Sequence, residues 1–223
     1  MTDQFESTRQ FWGGTVRKGN LIYPNDQIIR FVKRNYKEKN ISILDFGCGG
    51  GRNAVALLSE GYNVVAMDYT DDAVDMTTDK IKQIGIDNPV VVKNIGFEVP
   101  LEPYSIDAIV ADGSLFYCTK ENIIQIIKNL KAVLKNNGLL WANFRTKQDS
   151  LYAKGKQIDD GLYVLEDGTG REGCAYFFAE ESDIRTIFRD AEMEIVSIDD
   201  YSYSEKNHQI VNSWYHVVAR KVE

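Results

Sequence analysis

The segment Leu44-Asp45-Phe46-Gly47-Cys48-Gly49-Gly50-Gly51-Arg52-Asn53 limits what this chain can fold into more than any other stretch. It leads from a short apolar run straight into a helical pattern, with glycine at 47, 49, 50 and 51. Glycines at such a junction let the backbone turn sharply, and they let a ligand approach the main chain and the helix N-terminus. A phosphate-binding Walker loop is excluded, because no Gly-Lys-Ser/Thr follows. A nicotinamide-dinucleotide fingerprint needs a third glycine at position 52, where this chain has Arg52.

Around that segment, short β-rich runs alternate with helical patterns, which signals a parallel sheet with crossover helices. A first helix follows Pro24-Asn25, with Ile28, Ile29, Phe31, Val32 and Tyr36 at helical spacing. Strands are expected at 41–46, 63–67, 90–93, 106–111 and 139–144. Helices are expected from the glycine loop to Gly61, at 71–84 before the stop residue Gly85, and at 121–135, closed by Asn136-Asn137-Gly138. Residues 146–179 show no clean period and are too long for a plain connector. Their aromatics, Tyr152, Tyr163, Tyr176, Phe177 and Phe178, point to a packed lid. A last helix at 180–190 precedes two β-rich runs, 194–198 and 213–220, expected to pair as an antiparallel hairpin. The connection between them carries Tyr201, Tyr203 and His208.

Composition narrows the partners. The 223 residues carry 26 Lys and Arg against 33 Asp and Glu, a net charge of −7. Nucleic-acid binding draws on cations that neutralise phosphates, so the expected partner is a small molecule rather than a nucleic acid. No apolar run approaches the roughly 18–20 residues that cross a bilayer, and the first residues lack a signal-peptide pattern. No membrane partner and a cytoplasmic location are expected. Cys48, Cys118 and Cys174 are too few and too scattered for a disulfide framework or a zinc site, so no metal is expected. The length suits a single domain, divided as an N-terminal cap (1–40), a cofactor-binding core (41–145), a substrate lid (146–179) and a last helix with the terminal hairpin (180–223).

Several side chains are candidates for chemistry. Asp68 ends the second strand, where a carboxylate can accept from both hydroxyls of a ribose; Thr70 is the better helix cap. Cys48 is read as a small space-filler. Arg52 either pairs with a cofactor carboxylate or snorkels over the sheet edge. Trp12 and Tyr23 either flap over a cofactor, with Tyr23 near its carboxylate, or pack an N-terminal helix. Phe116-Tyr117 follows the fourth strand, with Tyr117 a candidate to face a substrate. Arg145, at the carboxyl edge of the sheet, either holds an anionic substrate group or pairs with a lid acid such as Asp149. His216 alternates with apolar neighbours and is read as structural, while His208 is a candidate base.

The glycine segment with Asp68, together with Ser105-Ile106-Asp107-Ala108-Ile109-Val110 and the run from Leu130 to Leu140, resembles the class I S-adenosylmethionine-dependent methyltransferases over nearly the whole chain. The resemblance implies an α/β, Rossmann-like, doubly wound fold. Its sheet would be mostly parallel and seven-stranded, with the C-terminal antiparallel hairpin and a lid insertion after the fifth strand. It implies S-adenosyl-L-methionine as cofactor. Gly47 and Gly49 would back its methionine part, Asp45 would hold the amino group, Asp68 the ribose, and Tyr69 would lie against the adenine. Asn94 stands where the family usually has Asp and can still accept from the adenine amino group. Asp112 and Ser114 would line the methyl-donor end. Tyr117, Arg145 and the lid residue Tyr152 are the expected acceptor contacts. Methyl transfer from a sulfonium is driven mainly by positioning, and a base is needed only for an acceptor that reacts from a protonated form. Asp112, His208 and a lid tyrosine are the candidates for that base. The expected function is methylation of a small molecule by a monomer or homodimer. The alternatives are a cofactor-binding sensor or partner subunit without transferase activity, and a nicotinamide oxidoreductase on a similar sheet.

Overall fold

Alternation along the central strands decides the layering. Ile43, Ala66, Ala108 and Val110 face one way and Leu44, Met67, Ile109 and Ala111 the other, and all are fully buried. Such strands need a cover on both faces. In the computed structural model, which describes Thr8, residues 10–14 and residues 22–222, they have it. The rest of the expected N-terminal cap lies outside the described residues.

In chain order the elements are α1 (Asp26–Asn35), β1 (Ser42–Phe46), α2 (Arg52–Ser59), β2 (Asn63–Asp68), α3 (Asp71–Gln83), β3 (Val90–Lys93), β4 (Ile106–Ala111), α4 (Lys120–Val133), β5 (Leu134–Thr146), β6 (Gly155–Asp159), β7 (Leu162–Leu165), β8 (Ala175–Ala179), α5 (Glu181–Asp190), β9 (Met193–Glu205) and β10 (Ile210–Lys221). Helices α1 and α2 cover one face through Ile28, Phe31, Val32, Ala54 and Leu57. Helices α4 and α5 cover the other through Ile123, Ile127, Leu130, Ile184 and Phe188. Thr70 caps α3 by accepting from Ala73 N at 3.3 Å, and Thr119 caps α4 by accepting from Asn122 N at 3.3 Å. These hydroxyls satisfy amides that the first helical turn leaves open.

Strands β3-β2-β1-β4-β5 are parallel neighbours, and β10 joins β5 antiparallel, with β9 outside it. These are the seven expected strands. The insertion adds three more. Strands β6, β7 and β8 form an antiparallel meander, and β8 runs parallel to the end of β5 at Arg145 and Thr146. Two register facts explain how the meander attaches. Strand β10 holds one edge of β5 as far as Arg145, opposite Trp214, while β4 leaves the other edge after Ala142. Strand β8 takes the vacated edge, and Phe177 N donates to Phe116 O at 2.7 Å.

The structure also lengthens two expected elements. Strand β5 starts at Leu134, directly after α4, and absorbs the expected turn at 136–138, where Asn137 has φ 63°. The hairpin arms extend through 205 and from 210, so Tyr201 and Tyr203 are strand residues rather than connection residues. No helix among the described residues is long and apolar enough to cross a membrane, and among them no His, Cys, Asp and Glu cluster suited to a metal ion is found.

Candidate functional site

A cavity of about 890 Å³ opens at the carboxyl ends of the parallel strands, where doubly wound sheets hold their ligands. Its first end is made of turns. After β1 the chain reverses over β2: Gly47 N and Cys48 N both donate to Met67 O, at 2.8 and 2.9 Å. Gly47 has φ 72°, and a Cβ there would stand 2.4 Å from Ser114 Cβ. Only glycine fits both the backbone and the space. Thr77 Oγ1 donates to Gly49 O at 2.9 Å and Lys80 Nζ to Gly50 O at 2.8 Å, so α3 braces the loop from behind. Cys48 is buried and its thiol is pushed well above its usual range by burial, which suits a space-filler.

Asp68 ties the loop to the second turn. Its Oδ2 accepts from Gly49 N at 3.0 Å, and its Oδ1 accepts from Thr70 N at 2.9 Å and Thr70 Oγ1 at 3.0 Å. Burial raises the carboxyl's pKa, opposed by those donors. Asn94, at the end of β3, donates to Gly96 O at 3.2 Å, which leaves its side-chain oxygen as the acceptor it offers. Tyr69 lines the cavity between them. Asp45 lies beneath the loop and does not itself line the cavity. Burial, then the negative charge of Asp112, pushes its carboxyl up to about 7, and its Oδ2 is buried without a hydrogen-bond partner.

Asp112 has a different role from the base that the sequence suggests. It accepts from four side chains: Arg52 Nη2 at 2.7 Å, Asn53 Nδ2 at 3.1 Å, Asn143 Nδ2 at 2.9 Å and Asn25 Nδ2 at 3.1 Å. A carboxylate offers about four acceptor positions, so this arrangement leaves none to take a proton. Asp112 instead gathers the segment before α1, the start of α2 and the end of β5 at one point. Arg52 is spent on it. Tyr23 is 79% exposed, lies outside the cavity wall, and contributes only its carbonyl, 3.4 Å from Arg52 Nη1.

The second end is aromatic. Phe116 and Tyr117 from the turn after β4, Tyr176 from β8, Trp214 from β10 and Trp12 from the N-terminal helical residues line it. Their rings meet at centroid distances of 4.6 to 5.6 Å. Burial pushes the Tyr117 hydroxyl well above its usual range. Arg145 lies in this wall and is itself buried. Its guanidinium lies 4.0 Å from the Trp214 ring centroid, and Nη1 donates to Asp149. Of the two expected roles of Arg145, the pairing with Asp149 is present, and the side chain also lines the cavity. Thr8 Oγ1 accepts from Ala175 N at 3.1 Å, which ties the N-terminal segment to β8.

Two expected contacts stand elsewhere. His208 is exposed in the β9–β10 turn, 2.6 Å from Ser204 Oγ, because the long hairpin carries that turn away from the cavity. Tyr152 packs edge-on against Tyr163 and Phe178 and is not in the wall. His216 is in the wall but is stacked on Tyr201 at 4.9 Å, and burial lowers its pKa. Trp214, Arg171, Tyr201 and Tyr203 also line the cavity, although none of them is among the expected contacts. The period-two pattern that places His216 on a strand also puts Trp214 on the same face, which was the available signal.

A family model described as a methyltransferase domain matches residues 43–138, from β1 into β5. The tRNA N(3)-cytidine methyltransferase METTL6 of Rattus norvegicus is 26% identical over 182 residues, 77% of this chain and 61% of that protein. The ubiquinone biosynthesis O-methyltransferase of Rickettsia felis is 24% identical over 185 residues, 82% of this chain and 73% of that protein. The chain thus spans 61% of the length of the first of these relatives. A solved methyltransferase of Methanosarcina mazei superposes with a TM-score of 0.73 at 20% identity, over 86% of this chain and 97% of the other. The 1,6-didemethyltoxoflavin-N1-methyltransferase of Burkholderia thailandensis, solved with 1,6-didemethyltoxoflavin and S-adenosylhomocysteine, gives 0.72 at 16% identity, over 100% and 92%. At these identities the structural likeness is one of fold. The domain match lies over the strands and turns that build the first end of the cavity, so that part of the chain is similar to a methyltransferase domain, and the fold of the whole is the one these solved methyltransferases share.

Proposed function

We propose that this chain binds S-adenosylmethionine at the glycine-loop end of the cavity and methylates a small molecule held at the aromatic end. The observation that carries the proposal is the continuity of one cavity from Gly47, Asp68 and Asn94 to Tyr117, Arg145 and Trp214. Its volume lies in the usual range of small-molecule sites.

The residues present fit the cofactor. Asp45, Asp68 and Asp112 gather carboxyl groups around the loop, and Asp45, behind the wall with its Oδ2 unpartnered, favours a cation nearby, such as the cofactor's amino group, through charge rather than contact. Helix α2 has Gly51 as its N-cap, with no side-chain cap and no acid in its first turn; Asp45 already takes the Ala54 amide, and the positive end of the helix still favours a carboxylate. Asp68 would take a ribose hydroxyl in exchange for its Thr70 Oγ1 bond, and Asn94 would take the adenine amino group. Bound there, S-adenosylmethionine supplies an activated methyl group on a sulfonium. The chain's own work is alignment, which can contribute on the order of 7–11 kcal/mol. Asp112 fixes the turn after β4, and Ser114, whose buried Oγ has no partner, stands beside Gly47 where the two ends of the cavity meet.

Transferase activity is favoured over a sensor role because the aromatic end is an open compartment rather than a filled one. A net charge of −7 and a deep, aromatic wall favour a metabolite over a nucleic acid. Calorimetric titration with S-adenosylhomocysteine tests the first step. Saturable one-to-one binding is expected, and no binding at high ligand concentration sinks the reading.

A further inference from the structure

Among the described residues, the acceptor end holds cations and no available base. Arg145 uses Nη1 on Asp149, while its Nε is buried without a partner. Trp214 supports the guanidinium from one side, with Tyr176 at 5.7 Å. Asp149 is itself shared, accepting from Leu151 N at 2.9 Å and Ser213 N at 3.0 Å. Arg171, from the insertion, lies 5.4 Å from the Trp12 ring centroid. The other titratable groups facing Arg145 are Tyr117, Tyr176 and Tyr203. Asp112 has no free acceptor position, His216 is stacked, and His208 is remote.

We infer that the methyl acceptor is a planar aromatic or heteroaromatic molecule with an acidic hydroxyl or ring N–H, bound as its delocalised anion with one edge on Arg145. The inference rests on the proposed methyltransferase function. Aromatic walls select a flat molecule by stacking. A guanidinium with a spare, buried donor edge matches a planar anion better than it matches an ammonium. Cationic surroundings favour the anion and so lower the acceptor's own pKa. The acceptor's proton leaves to solvent on binding. In the transfer, a bond forms between the anionic oxygen or nitrogen and the methyl carbon as the carbon–sulfur bond breaks, and the electron pair stays on sulfur. The negative charge of the acceptor and the positive charge of the donor cancel, and no proton is left for the protein to accept. Arg145 positions the anion, which accounts for the lack of a side-chain base at this end among the described residues.

The probe is 4-nitrophenol, whose phenolate is followed by its visible absorbance, added to protein saturated with S-adenosylhomocysteine. Saturable binding with a lowered apparent pKa of the probe is expected, and neutral 4-nitroanisole should bind about tenfold more weakly or worse. Arg145→Lys keeps a cation for Asp149 but loses the planar edge. It should weaken phenolate binding about tenfold while S-adenosylhomocysteine affinity stays within about twofold. The wild-type comparison of phenolate with anisole needs no variant, so a poorly folding Arg145→Lys does not block the test. Anisole binding as tightly as phenolate, no saturable phenolate binding, or an unchanged pKa shift in a folded Arg145→Lys overturns the inference. Failure of S-adenosylhomocysteine to bind the wild type overturns the proposed function instead.

Discussion

At the glycine-loop end, the cavity wall is backbone and short polar side chains from the turns after β1, β2, β3 and β4. At the other end it is large rings drawn from the N-terminal segment, the turn after β4, β8 and β10, which lie far apart along the chain. The first end is set by hydrogen bonds among near neighbours in the sheet and by φ values that only glycine takes easily. The second depends on how an inserted meander docks on the last two residues of β5. A site built from turns should therefore respond to backbone and charge changes, and one built from rings to changes in packing. Perturbing one end should leave the other largely intact.

The largest expected pH-dependent effect comes from Asp45. Its folded pKa of about 7 stands above the ordinary value of 3.8, so between those values the folded chain holds a proton that the unfolded chain has released. Stability therefore falls as pH rises through that window, and the full penalty is present above it. Each pKa unit corresponds to about 1.36 kcal/mol, so the penalty is at most about 4 kcal/mol. Asp45→Asn should match the wild type in urea melts near pH 4 and exceed it at pH 8. Binding of S-adenosylhomocysteine near pH 6 should release a proton, because its amino group favours the ionised carboxyl. Titrations in buffers of different ionisation enthalpy detect that release. A variant with the wild-type pH profile removes Asp45 as the cause.

Gly47→Ala comes next. A side chain at φ 72° costs about 1–2 kcal/mol, and the contact with Ser114 adds overpacking of about 1–3 kcal/mol. Urea midpoints should fall accordingly and S-adenosylhomocysteine binding should be lost. Nitrophenolate affinity in whatever protein stays folded should change far less, because Arg145 and Trp214 are not in that turn. Equal loss at both ends would show that the two are one cooperative unit.

The difference between the ends also explains what could be read from sequence. The glycine loop, Asp68 and Asn94 follow strand ends whose apolar runs announce themselves, so their place at one sheet edge is a matter of spacing. Strands β3 and β4 stand at the expected residues. Arg171 reaches the cavity because β8 takes the edge of β5 that β4 leaves, whereas Trp214 arrives on β10 along the other edge. No local pattern encodes that docking, and residues 146–179 have no period to announce their three strands. His208 failed for the opposite reason. The hairpin continues through Tyr201 and Tyr203, where the sequence suggests a connection, and carries the turn outward.

Asp68→Ala should have a smaller, localised effect. On the proposed function it removes an acceptor for the ribose, where a charge-assisted hydrogen bond contributes about 1.5–3 kcal/mol, so affinity for S-adenosylhomocysteine should fall at least about tenfold. It also frees Gly49 N and Thr70 N, so a modest drop in melting temperature is expected with it. Circular dichroism separates the two effects, and unchanged affinity would remove Asp68 from the cofactor site.

The smallest effect is expected at the β9–β10 turn. Lys206, Asn207 and His208 stand at φ 50°, 54° and 66°, a left-handed run that side chains resist and glycine accepts. His208→Gly relieves the last of these at the cost of greater freedom in the unfolded chain, so the net gain should be only about 0.5 kcal/mol in urea unfolding. It also deletes the one histidine that sequence reasoning advanced as a base. Because the imidazole is exposed and bonded to Ser204 rather than directed at the cavity, nitrophenolate binding and any methyl-transfer rate should be unchanged across the pH range where histidine titrates. A lost rate, or a new pH dependence near neutrality, would mean that the hairpin folds back over the acceptor during turnover. The separation between a rigid donor end and a packed acceptor end would then have to include a third, moving part.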